Sequence, residues 1–209
     1  MSIKKYAQLP RDVQNAITTN EGLILSDFDP ENPGSAETIR SSILYTTTGG
    51  VTLSCIANFR DAGRDIRNCP KHLKELLEIE FWECKISGTA LTVTERSAPL
   101  HFGAVDADTG RSDDSMMILK PRMEVKPSDF RTLWYVCAYG TESGFIAVRM
   151  ENVLNEAGFS MKAENGKKGR FAFSYVGYLS MEAPNAVPFT FFLKRSGKAT
   201  VEQIDFDEK

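Results

Sequence analysis

Apolar and polar residues alternate with a period of two over many short windows of this chain. Between 51 and 59, Val51, Leu53, Cys55, Ala57 and Phe59 fall on one face, and Thr52, Ser54 and Asn58 on the other. Between 77 and 85, Leu77, Ile79 and Phe81 alternate with Glu78, Glu80 and Trp82. The same pattern predicts strands over 115–120, 132–139, 144–150, 158–163, 170–179 and 188–194. Aromatic and β-branched residues crowd these windows, as a pleated, half-buried surface prefers. Turn chemistry separates them at Thr48-Gly49-Gly50, at Tyr139-Gly140 and along 164–169, where glycines supply positive φ. The pattern predicts a mainly β, antiparallel fold.

Helical signals are fewer. Pro10 and Asp12 mark the start of a short helix over roughly 10–18 that Asn20 and Gly22 would end. Thr94 or Ser97 caps a second, flanking helix over 94–103, closed by Gly103. The stretch 70–76 has helical propensity yet runs unbroken into the next strand, so helix and strand both remain open there. Residues 26–37, with two prolines and a glycine, read as an extended linker behind an N-terminal arm. Residues 59–70 form a charged bridge between two strands, and residues 104–114 an acidic loop. The expected division is an arm and linker over 1–36, a β-domain over 37–196 and an acidic tail over 197–209.

Charge narrows the function classes. The chain of 209 residues holds 25 Lys and Arg against 28 Asp and Glu, a formal net of −3. Residues 202–209 alone account for that net charge, so the body is neutral. A protein built to grip a phosphate backbone needs a basic face instead. No apolar run approaches the roughly 20 residues that span a bilayer, and no apolar signal core follows Met1, which reads as a soluble, non-exported chain. The cysteines Cys55, Cys69, Cys84 and Cys137 are widely spaced and read as reduced thiols.

Candidate chemistry is sparse. Gly197-Lys198 lacks the glycine and hydroxyl residue of a phosphate loop, with Phe192 and Ala199 in their places. Asp106, Asp108 and Gly110 resemble a calcium loop, but Met117 stands where a closing Glu would be. The cysteines lack the short paired spacing of a zinc site. Of the two histidines, His72 and His101, the latter lies among Pro99, Leu100 and Phe102 and reads as a packed residue rather than a general base. Glu78 and Glu80 on one strand face read as solvated acids rather than a glycosidase pair. The reading is therefore no enzyme, no catalytic or metal residue and no cofactor. Arg60, Asp61, Arg64, Asp65 and Arg67 mix both signs at close spacing, which fits either a solvated loop or a protein interface.

The order of these elements resembles the tail tube (major tail) proteins of phages and prophages over roughly residues 25–195. The resemblance is carried by the linker from Asp27-Phe28-Asp29-Pro30, the strand pair opened by Thr48-Gly49-Gly50-Val51-Thr52 and the segment Ser87-Gly88-Thr89-Ala90-Leu91. It continues through Arg131-Thr132-Leu133-Trp134-Tyr135, residues 152–160 and the closing strand Val187–Phe192. The resemblance implies a β-sandwich or barrel with a flanking helix, assembled as hexameric rings that stack into a tube in the virion tail. It implies DNA passing through a neutral or acidic lumen without specific binding, with tail completion or terminator proteins and baseplate or tip proteins at the tube ends. It also implies assembly in the bacterial host cytoplasm. The loop at 59–76, with Arg60, Asp61, Arg64, Asp65 and Arg67, would reach a neighbouring ring, and the arm at 1–36 would lap over an adjacent subunit. Two alternatives accompany it: the inner tube of a contractile tail or injection particle, and a monomeric β-sandwich ligand-binding module.

Overall fold

The alternating segments form antiparallel strands, most of them in one large sheet. The structure, a computed structural model, describes residues 18–108, 116–139 and 144–194. In chain order the strands are β1 (Thr18–Leu25), β2 (Ile43–Tyr45), β3 (Thr47–Asp61), β4 (Leu77–Ala90), β5 (Val105–Asp108) and β6 (Ile118–Pro121). There follow β7 (Arg131–Tyr139), β8 (Gly144–Asn155), β9 (Ser160–Lys162), β10 (Arg170–Gly177) and β11 (Phe189–Lys194). The main path runs β2-β1-β7-β8-β10-β4-β3, with β11 beside β8 and β9 beside β10, while β5 and β6 pair separately. Strand β8 is long enough to branch. Its first half pairs with β11, and its end, Val153–Asn155, pairs with β10.

The sheet coils about one core in a sandwich-like layout. Ile24, Leu44, Tyr45, Ile86, Leu133, Met150, Phe173 and Tyr175 meet there from strands far apart in the chain. A smaller cluster of Leu25, Phe28, Trp134 and Ala147 lies apart from it. Adjacent residues Ile24 and Leu25 enter different clusters, so β1 is buried on both faces. The helix α1 (Ala36–Ser42) supplies Ile39 to the second cluster, and Ser35 caps it by accepting the Thr38 N–H at 3.3 Å.

The fold departs from the sequence reading at several places. Residues 18–25 sit inside the sheet between β2 and β7 rather than in an arm; the rest of the expected helix at 10–18 lies outside the described residues. The linker ends in α1. Over 94–103 there is no α-helix, because Ser97 turns its hydroxyl back to Thr94 and Pro99 opens only a short 3-10 turn, Pro99–His101. Residues 70–76 end in a 3-10 turn, Lys74–Leu76. Gly49 and Gly50, expected in a turn, lie within β3 at φ of 74° and 89°, where the register shifts between Thr48 and Val51. The acidic loop contains β5, whose Asp106 is held by Arg122 at 2.9 Å and Lys126 at 3.1 Å.

Candidate functional site

Strands β3 and β4 are the longest of the described strands, at 15 and 14 residues. They pair with each other from Thr47↔Ala90 out to Asp61↔Leu77. Strand β10 accompanies β4 only from Ala90 to Cys84, its last pair being Gly177↔Cys84. Beyond that rung, residues 77–83 pair with β3 alone among the described residues, and the hairpin continues as a two-stranded ribbon.

The side chains of this ribbon follow from its register. Residues directly opposite each other in an antiparallel pair share a face. Within the body, the pairs Leu53↔Ile86 and Cys55↔Cys84 face the main core. The same face continues outward through Ala57↔Trp82, Phe59↔Ile79 and Asp61↔Leu77. The register shifts between Asn58 and Phe59, leaving Glu80 as an extra residue on β4. This bulge changes the phase of the alternation. Trp82, Ile79 and Leu77 therefore share a face with Phe59, whereas Phe81 stands opposite Asn58 on the other side. The regular alternation expected for 77–85 placed Phe81 with Ile79 and Leu77, and Glu80 with Glu78; one bulged residue separates them.

The result is a core face that leaves the core. Phe59 is 60% exposed, Leu77 and Ile79 are each 50% exposed and Trp82 is 36% exposed. Ile56, Phe81 and, at the tip, Ile66 are also exposed.

The residues expected to reach a neighbouring ring all lie at the far end. Arg60 and Asp61 end β3, and Arg64, Asp65 and Arg67 are exposed in the turn that follows. Among the described residues the three arginines form no ion pair, so both readings of the loop, solvated or interfacial, remain available to them. Asp61 instead organises the loop, accepting the Gly63 N–H at 2.9 Å and the His72 N–H at 3.4 Å. Gly63 is buried at the loop's centre, where an added Cβ would lie 2.8 Å from Leu76 and 2.9 Å from the Cys69 sulfur. The tip is thus a hydrogen-bonded loop that presents exposed cations without an ion-pair partner among the described residues.

The remaining chemistry-bearing groups are drawn inward. His101 is 1% exposed beside the rings of Tyr45 and Phe171, and neither ring nitrogen has a hydrogen-bond partner. Burial holds its pKa below the usual value. The Tyr45 and Tyr175 hydroxyls bond each other, and burial pushes both phenols up. Arg122 is clamped between Asp106 and Asp129 and also donates to the Glu124 carbonyl at 2.6 Å. Among the described residues, no group of three or more His, Cys, Asp or Glu could hold a metal ion, and no helix is long and apolar enough to cross a membrane. No protein-family model and no curated protein matches the sequence.

Proposed function

We propose that the chain is a structural subunit of a phage or prophage tail tube, which assembles into stacked hexameric rings around a lumen that conducts DNA during ejection. The observation that carries the need for a partner is the apolar face of the ribbon, continuous with the core and left exposed by the described residues. A two-stranded ribbon in water is marginal by itself. Covering the exposed parts of Phe59, Leu77, Ile79 and Trp82 is worth roughly 4 kcal/mol, at about 2 kcal/mol for each large apolar side chain fully buried. Strand β3, at the end of the sheet among the described residues, offers the main-chain groups of its outer edge to a neighbouring chain as well. Ring number, lumen and the proteins at the tube ends rest on the resemblance in element order. The inner tube of a contractile tail would use the same surfaces.

A second reading has its own observation. A groove of about 710 Å³ is lined by Phe28, Trp134, Phe145 and Phe192, with Arg149 and Lys194 at its margin. A monomeric ligand-binding module would use such a groove.

Negative-stain microscopy of the purified chain, with light scattering over a concentration series, separates the two. The tail-tube reading expects rings or tubes of uniform diameter. A compact monomer at all concentrations would displace it in favour of the binding module.

A further inference from the structure

Two cysteines meet at the root of the ribbon. Cys55 and Cys84 are directly opposite in the β3–β4 register, and their sulfurs are 3.2 Å apart. Both are free thiols, Cys84 fully buried in the main core and Cys55 partly exposed. Opposite residues of an antiparallel pair have Cα atoms about 4.5–5.5 Å apart, within the roughly 4.4–6.8 Å that a disulfide bridges. The sulfurs need close by only about 1.2 Å to reach bonding distance near 2.05 Å. We propose that Cys55 and Cys84 are a redox modification site that closes to a cross-strand disulfide in the presence of a low-molecular-weight disulfide such as oxidised glutathione.

The chemistry assigns each sulfur a step. Burial, and then the hydrogen bond and proximity of Cys55, push the Cys84 thiol up to about 12, so it stays protonated and cannot be the first nucleophile. The partly exposed Cys55 loses its proton to solvent as its sulfur attacks one sulfur of the oxidant, breaking the oxidant's S–S bond, forming a mixed disulfide and releasing one glutathione thiolate, which is protonated from solvent. With the Cys55 thiol consumed in the mixed disulfide, the Cys84 sulfur bonds to the Cys55 sulfur as the Cys55–glutathione bond breaks, and the Cys84 proton passes in the same step to the departing glutathione thiolate. The protein loses two electrons and two protons, and one oxidised glutathione becomes two reduced ones. The buried attacker needs no diffusion, because its target is already in contact.

The position gives the bond a mechanical meaning. Cys84 occupies the last rung that β10 shares with β4, so the disulfide forms where a three-stranded sheet becomes a free ribbon. Oxidation would fix the angle at which the ribbon leaves the body.

The test treats the native full chain with oxidised glutathione, quenches it in denaturant with N-ethylmaleimide, and maps it by non-reducing tryptic digestion. Cys55 and Cys84 fall in the separate tryptic peptides 41–60 and 75–85. The expected result is an intact mass equal to the chain plus two maleimides less the two hydrogens lost to the disulfide, a linked 41–60/75–85 species, and maleimide on Cys69 and Cys137. Amide exchange over 56–61 and 77–83 should slow in the oxidised form. In Cys55→Ser, no link should form and Cys84 should carry only maleimide. Maleimide on both peptides of the wild-type chain, a persistent glutathione adduct on Cys55, or a link through Cys69 would each overturn the proposal. The wild-type map decides even if a cysteine variant folds poorly.

Discussion

His101 packs against Tyr45 and Phe171 with both ring nitrogens unpartnered, so its proton has nowhere favourable to sit. In the unfolded chain it takes up a proton near pH 6.5, whereas in the fold it does so only at lower pH. The unfolded state therefore binds more protons below pH 6.5. Stability should hold above that value and fall beneath it, by up to about 1.4 kcal/mol per pH unit. Asp29, Asp106 and Glu164 are also held below their ordinary values, but those lie at 3.8, 3.8 and 4.5, so the window between pH 5 and 6.5 belongs to His101. Urea titrations at pH 7.5 and 5.5 should show this loss, and His101→Phe should flatten it. Asn155 is the buried polar residue with the most at stake. Its side-chain amide donates to the His101 carbonyl at 2.8 Å and to the Gly158 carbonyl at 3.3 Å, and its oxygen accepts the Ser174 N–H at 2.9 Å. Asn155→Leu strands these groups at once and should cost about 3 kcal/mol in the same titrations. The packing of His101 was legible in sequence, its ring partners were not, and an Asn in a strand carries no sign of what it will meet.

Among the elements, the β3–β4 ribbon is where alternation proved both most readable and most misleading. Period two located both strands, because half-buried strands must alternate. It could not show the extra residue Glu80, since a bulge leaves no compositional mark and acts through pairing with the opposite strand. Strand β1 was invisible for the opposite reason. With Ile24 buried in one cluster and Leu25 in the other, the segment shows no alternation. Helix α1, at seven residues, is too short for a 3.6-residue period to stand out, and Pro33-Gly34 masked its Ser35 cap. The ribbon's role can be tested by face. Phe59→Thr with Ile79→Thr should leave the thermal midpoint within a few degrees, because both side chains are at least half exposed, yet abolish higher assemblies in light scattering. If the tail-tube proposal holds, reversing Arg60, Arg64 and Arg67 to Glu should likewise preserve folding, by circular dichroism, and stop tube growth. Unchanged tubes from the arginine variant would remove the tip from the contact.

At the scale of the whole molecule, the sheet is completed by pairing between distant parts of the chain. Ile24 pairs with Tyr135 and Leu25 with Trp134, across more than a hundred residues. Removing residues 1–25 would strip both clusters of a buried residue and leave β7 with an open edge. Such a truncation should lose its cooperative thermal transition altogether, a result that an arm merely lapping a neighbour would not produce.

The ribbon has a further consequence in time. Its two strands are joined by residues 62–76 alone, so it closes by a local contact and can form in microseconds. Strand β1 must wait for β7, which ends about 50 residues after β4. At the roughly 5–20 residues per second of synthesis, that is an interval of several seconds. Throughout it, the nascent hairpin carries its full apolar stripe, from Leu53 and Ile86 to Leu77, with no core yet to receive the inner half. The part of the chain that matures first is also the part most exposed to premature association, which makes the timing of its synthesis, and the chaperones present then, part of how this protein reaches its final state.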